Sequence, residues 1–236
     1  MTSLNLVAYE RMGLINPVSE AAINEALDRT DLAPGDRAAE LGCGNAALAL
    51  LLAERGMRVL AVDRGSEMTD LARRKVKAGS AGERVEVVQG EAGDIAGKAA
   101  PFRLVSALGT TALGDFSKLA SWIAPGGWLL WGDLYFRQAP AIAPAGAGLD
   151  YDTDEGWRAR AVAAGLELDH VRVSDDADWD AHLDGLTAAV SGWAKDEPDH
   201  SARARVEGRL AAVRALFSPA NRESLGFILY LFRKPV

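Results

Sequence analysis

Glu40, Gly42, Gly44 and Asp63 are the residues of this sequence whose types and spacing could do chemistry together. They lie in the stretch "AAELGCGNAALALLLAERGMRVLAVDRG", residues 38–65. Two glycines follow a short apolar run, and a helical pattern follows them. Glycines at a strand-to-helix turn let a ligand approach the backbone closely, and the first helical N–H groups are expected to point at it. Asp63 ends the next apolar run about twenty residues on, the distance at which a carboxylate meets ribose hydroxyls in nucleotide sites. Being acceptor-only, it suits two hydroxyl donors.

Glu40 narrows the choice of ligand. As a bare pattern, Gly42-Cys43-Gly44-Asn45-Ala46-Ala47 fits the dinucleotide fingerprint. A carboxylate two positions before Gly42, however, repels a pyrophosphate, and more strongly as the site is desolvated. The same group favours a ligand with an ammonium, a sulfonium and no phosphate, such as S-adenosylmethionine. NAD(P) remains the alternative cofactor. A plainer reading makes Glu40 the cap of a backbone turn; against it stands the cost of an unpaired charge at a strand end inside a sheet. Cys43 reads as a small packed side chain rather than a nucleophile.

The elements that must position these residues follow from the alternation of patterns. Apolar runs at 37–41, 58–63, 84–89, 102–108 and 128–133 predict strands, and 46–55, 66–78 and 115–123 predict the helices between them. Such alternation gives a mostly parallel sheet covered on both faces. Residues 1–17 are mixed in character. "VSEAAINEALDRT" predicts a helix with Ser19 at its N-cap and Ile23 and Leu27 on one face. After Asp133 a proline-rich stretch predicts a long loop, of the length at which loops act as lids. A helix at 153–164 with a Gly165 stop, a strand at 166–173, two helices within 175–220 split near Pro198, and a closing strand in "SLGFILYLFRK" complete the chain.

Several separated motifs agree with one family. The sequence resembles the class I S-adenosylmethionine-dependent methyltransferases: "ELGCGNA" is similar to their glycine-rich first motif, "VLAVD" to the second-strand motif ending in the ribose-binding acid, "VEVVQGEA" to the adenine motif, and "IAPGGWLLWGD" to the stretch leading into the fifth strand. The resemblance covers roughly residues 35–135. It implies an α/β, Rossmann-like, doubly wound seven-stranded sheet of order 3-2-1-4-5-7-6 with the last strand antiparallel, an N-terminal helical segment, and a helical insertion before the last strand. The expected organisation is a single domain, 1–236, with a helical cover at 1–34, a cofactor-binding half at 35–135, a lid loop at 134–152 and an insertion at 175–222.

Carried over residue by residue, the resemblance implies that Gly42 and Gly44 approach the methionine part of S-adenosylmethionine, with Cys43 between them. Glu40 would act near its amino group and Asp63 on the ribose. Arg64 would cover the adenine, which Gly90, Glu91 and Ala92 would hold by a carboxylate and a backbone N–H. Leu108 and Gly109 would floor the reactive methyl. Ala46 stands where the family commonly has a third glycine; an alanine there can keep helical geometry.

Ligands of open α/β sheets bind beyond the carboxyl ends of the strands. Asp133 is therefore the acid–base candidate, and Tyr9, Tyr135, Phe136 and Arg137 are the candidate acceptor-pocket residues; anchoring of the lid by Tyr135 and Phe136 is the alternative. The insertion reads either as substrate cover or as a packing surface of a homodimer. A net charge of -7 and the lack of an "NPPY"-type motif after the fourth strand argue against nucleic-acid substrates. One cysteine and three scattered histidines predict no metal centre. No apolar leader or membrane span is read, so a cytoplasmic enzyme acting on a small molecule is expected. An oxidoreductase or a non-catalytic cofactor-binding protein are the alternatives.

Overall fold

The computed structural model describes residues 2–110, 113–138 and 151–236. Seven strands form one sheet: β1 (Arg37–Leu41), β2 (Arg58–Asp63), β3 (Val85–Gln89), β4 (Phe102–Leu108), β5 (Ile123–Phe136), β6 (Glu167–Val173) and β7 (Leu225–Arg233). Their order is β3-β2-β1-β4-β5-β7-β6. β1 to β5 pair in parallel, and β7 is antiparallel to both β5 and β6. This is the order and polarity the family resemblance implied. It brings the carboxyl ends of β1, β2 and β4 side by side, which is where the glycines and Asp63 stand.

A parallel sheet must be covered on both faces. On one face Ile23 and Leu27 of α2 (Glu20–Leu27), Leu48 and Leu52 of α3 (Ala47–Glu54), and Ala72 and Val76 of α4 (Ser66–Ala78) pack together. On the other lie Ala96 of α5 (Ala92–Ala99), Phe116 and Leu119 of α6 (Phe116–Trp122), and Trp157 and Ala161 of α7 (Asp154–Ala163). Side-chain caps set several helix starts, among them those where Ser19 accepts from the Ala22 amide, Asp115 from Lys118 and Thr153 from Gly156.

A third cluster joins α1 (Leu4–Arg11) to α8 (Asp176–Asp196) and α9 (Arg203–Leu216), through Leu4 and Val7 against Leu183, Val190, Val206 and Leu210. The short α10 (Pro219–Arg222) follows. α1 goes beyond the mixed character expected for residues 1–17. An eight-residue helix is marginal by itself, so its helicity depends on burial against α8 and α9, which lie far along the chain.

β5 runs three residues beyond the expected end at Asp133, because Leu134, Tyr135 and Phe136 pair with Phe227, Gly226 and Leu225 of β7. The centre of the expected lid loop, 139–150, lies outside the described residues. Among the described residues, no helix is long and apolar enough to cross a membrane.

Candidate active site

The turn after β1 is built from Gly42 (φ 71°), Gly44 (φ 51°) and Ala46 (φ 59°), all left-handed. Its amides are used by the chain itself. Gly42 and Cys43 donate to the Val62 carbonyl at 2.8 and 3.0 Å, and Ala46 donates to that of Cys43 at 2.7 Å. Gly44 donates to Asp63 Oδ2 at 3.0 Å, Ala47 to Asn45 Oδ1 at 3.1 Å, and Ala49 to Glu40 Oε2 at 2.8 Å. Contrary to expectation, first-turn amides of the helix are taken by side chains of the chain itself: Asn45 takes that of Ala47 and Glu40 that of Ala49, while Asp63 takes the turn amide of Gly44. The first turn of α3 is thus capped by the Glu40 carboxyl group.

Glu40 thus does cap a turn, as the plainer reading held, and it also borders a cavity beside the turn. Burial pushes its pKa up to about 8, a rise to which nearby Asp63 adds and which the Ala49 amide opposes. Tyr9 is pushed up to about 12, by burial first and then by Asp63, Glu40 and Cys43. Burial also raises the Cys43 thiol, which remains protonated and unreactive, in keeping with a packed side chain. Asp63 accepts from the Gly44 amide with one oxygen and from the Gly65 amide, at 2.8 Å, with the other. Each carboxylate oxygen has a second lone pair left for a ligand donor.

Ala46 does not keep right-handed helical geometry; it is the one non-glycine among the described residues with positive φ. A left-handed alanine costs roughly 1–2 kcal/mol, which its buried methyl (about 0.8 kcal/mol) and the stiffer unfolded chain (about 0.4–1 kcal/mol) offset. Ala46→Gly is therefore expected to change unfolding free energy by less than about 1 kcal/mol, whereas Ala46→Val, β-branched in the same conformation, costs more than about 2 kcal/mol. Urea denaturation of both variants checks the pair.

Two cavities flank this turn. One of about 370 Å³ is bordered by Tyr9, Gly42, Asp63, Arg64, Gly90, Glu91, Ala92 and Gly109, together with Val62, Thr110 and Leu113. The other, about 30 Å³, is bordered by Tyr9, Glu40, Gly42, Cys43 and Leu108, together with Asn16 and Asn45. Tyr9 and Gly42 line both, and the Tyr9 ring lies directly on Gly44: a Cβ there would meet its Cε1 at 2.3 Å. Of the residues expected to hold the cofactor, all but Gly44, which the Tyr9 ring covers, border one or other of these two cavities. Ala92 opens α5, so its N–H has no partner within the helix and is available there.

The acceptor-side residues are distributed differently. Of the five, only Tyr9 borders either cavity. Side chains alternate along a strand, so Asp133 and Tyr135 share the sheet face of Trp131. Tyr135 is buried in the core with Trp157 and lies against Gly226, while Asp133 is buried and accepts the Leu134 amide at 2.7 Å. Phe136 donates its amide to the Asp152 carbonyl at 2.9 Å and sets its ring edge-on to Tyr151. Arg137 donates Nε to the Arg222 carbonyl at 2.8 Å. The structure therefore does not bring Asp133, Tyr135, Phe136 and Arg137 to the cavities; Tyr135 to Arg137 instead tie β5 to β7 and to the segment after 150. Asn16 and Thr110 were not singled out from sequence. Thr110 directly follows the strand-four end that was, and the Asn16 amide oxygen would lie 2.3 Å from a Cβ on Gly109.

The sheet order, the glycine turn and the acid ending β2 define an open, doubly wound α/β fold with its crevice at the strand ends. Residues 38–127 match the family model described as a methyltransferase domain. Solved structures share the whole fold: an S-adenosylmethionine-dependent methyltransferase from Geobacter sulfurreducens, in complex with S-adenosyl-L-homocysteine, has a TM-score of 0.80 at 20% identity and covers 98% of both chains. Another from Thiobacillus denitrificans, with the same ligand, has a TM-score of 0.79 at 19% identity over 98% of both chains. YjhP from E. coli has a TM-score of 0.76 at 23% identity, covering 97% of this chain and 98% of its own. No curated protein matches at the sequence level. Residues 38–127 are thus similar to a methyltransferase domain, and the whole chain has the fold of S-adenosylmethionine-dependent methyltransferases.

Proposed function

We propose that the protein moves the methyl group of S-adenosylmethionine to a small-molecule acceptor in the cytoplasm. The observation that carries this reading is the fate of the turn amides. A pyrophosphate is held in dinucleotide sites by free amides at the helix start. Here Gly44 and Ala49 give theirs to Asp63 and Glu40, and two carboxylates border the crevice where the phosphates would lie. An ammonium-bearing, phosphate-free nucleoside meets complementary charge in the same place.

When bound, S-adenosylmethionine supplies an electrophilic methyl group on a sulfonium, open to in-line displacement by an acceptor lone pair. In this reading Glu40 faces the ammonium end, Asp63 accepts from the ribose, and Glu91 and the Ala92 amide read the adenine edge. Leu108, Gly109 and Tyr9 bound the space around the methyl. Alignment and exclusion of water are then the main contributions of the chain, and a base is required only for an acceptor that must lose a proton. The acidic balance of the chain, with a net charge of -7, supports an acceptor other than nucleic acid.

Calorimetry tests the cofactor. S-adenosylmethionine and S-adenosylhomocysteine are expected to bind with micromolar Kd and NADH at least 100-fold more weakly. Preferential binding of NADH overturns the reading. Release of S-adenosylhomocysteine across a metabolite panel then identifies the acceptor.

A further inference from the structure

The segment from Tyr9 to Asn16 lies across the crevice. Besides Tyr9 on Gly44, the Asn16 side chain lies on Gly109, and Tyr9 borders both cavities. The smaller cavity, on the Glu40 side, has room for a water or two at about 30 Å³. A ligand reaching from Asp63 to Glu40 therefore needs the Tyr9 ring to shift, and what holds this segment down governs access.

Besides the packing of α1 on α8 and α9, one side chain of the glycine turn ties this segment to the crevice. Asn45, 3% exposed, shares its two Nδ2 hydrogens among the carbonyls of Tyr9 at 3.0 Å, Met12 at 3.0 Å and Gly13 at 2.9 Å, while its Oδ1 accepts from Ala47. Carbonyls at the last turn of a helix have no intrahelical partner. The last turn of α1 is therefore capped from within the turn that would contact the cofactor. A second bond runs from Lys75 Nζ of α4 to the Met12 carbonyl at 2.7 Å, and an outer, exposed pair joins Arg74 to Glu10 at 3.3 Å. Arg74 and Lys75 belong to the basic run "RRKVK", 73–77, so two of its charges serve this segment.

We propose that Asn45 is a positioning residue, the latch that ties the cover formed by α1 and residues 12–16 to the glycine turn, so that movement of the turn and opening of the cover are coupled. The gating consequence rests on the cofactor reading above; the latch itself does not. Closure of the cover fixes Tyr9 over Gly44, and release of the three carbonyls frees it.

Hydrogen–deuterium exchange on the full-length protein tests this without ligand. Asn45→Asp keeps the shape but turns a carboxylate toward three carbonyls, so amides of residues 7–16 are expected to exchange at least tenfold faster, with β1, β2 and β4 unchanged. Lys75→Met, which leaves the turn intact, is expected to give a several-fold increase confined to the same residues. Unchanged exchange at 7–16 in a folded Asn45→Asp variant overturns the latch, as does an equal rise across the sheet, which marks a merely structural role. Should Asn45→Asp not fold, unchanged exchange at 7–16 in Lys75→Met overturns it. With S-adenosylhomocysteine as probe, dissociation from Asn45→Asp is expected to be at least tenfold faster than from the parent; equal rates overturn the gating. A parent that shows the exchange pattern but binds no S-adenosylhomocysteine overturns the cofactor reading while leaving the latch standing.

Discussion

Asp63→Ala lowers affinity for S-adenosylmethionine by at least about 100-fold, measured by calorimetry at pH 8. Hydrogen bonds to a charged acceptor contribute roughly 1.5–3 kcal/mol each, and each 1.4 kcal/mol is tenfold in affinity. Two ribose hydroxyls on one carboxylate would account for 100-fold or more. The loss has a second source in this chain, because the same carboxylate holds the Gly44 amide at 3.0 Å and the Gly65 amide at 2.8 Å. In the proposed reading, removing it would loosen the turn as well as the ribose contact. Asp63→Asn, which keeps one acceptor oxygen, is expected to lose less than Asp63→Ala. Equal affinity of Asp63→Ala and the parent would show that the acid ending β2 plays no part in binding.

The affinity of the parent for S-adenosylmethionine rises with pH between about 6 and 8, by up to about tenfold per unit, and Glu40→Gln removes that rise. Burial holds the Glu40 carboxyl at about 8, so near neutrality it carries a proton in the free protein. An ammonium placed beside it favours the carboxylate, and binding in that range releases the proton. Affinity therefore climbs until the group is ionised beforehand. Glu40→Gln lacks the ionisation and binds more weakly than the parent at pH 8.

The same residue gives the free protein a pH-dependent stability, with a sign opposite to that of a salt-bridged acid. Its folded pKa of about 8 lies above the ordinary value of 4.5, so between those values the folded state holds more protons than the unfolded one. Stability is greatest below the unfolded value and falls as pH rises toward 8, by at most about 1.4 kcal/mol per unit. Glu40→Gln removes this slope, because its amide oxygen can still accept from Ala49. Thermal unfolding at pH 5, 6.5 and 8 reads the difference; parallel curves for parent and variant would show that Glu40 titrates normally.

What the sequence determined by itself is local in origin. Alternating apolar and helical runs dictated the sheet, since parallel strands buried on both faces can only be near-continuous apolar segments. The left-handed glycines at 42 and 44 and the acid at 63 were legible because a turn conformation and a strand end are set by neighbours a few residues away. Ser19 announced a helix start for the same reason.

The tertiary structure alone decided the rest, wherever a side chain's role depends on a partner distant in sequence. Tyr135 and Phe136 have the composition of a pocket, but pairing with β7 carries the strand through them, and alternation turns Tyr135 into the core. Glu40 was read from its position as facing a ligand, yet its first partner is the Ala49 amide, given by the angle at which α3 leaves the turn. Asn45 shows nothing in its neighbourhood to mark it. Its three carbonyl partners come from the end of α1 and the two residues after it, over thirty residues earlier, a segment covered by α8 and α9 returning from the far end of the chain.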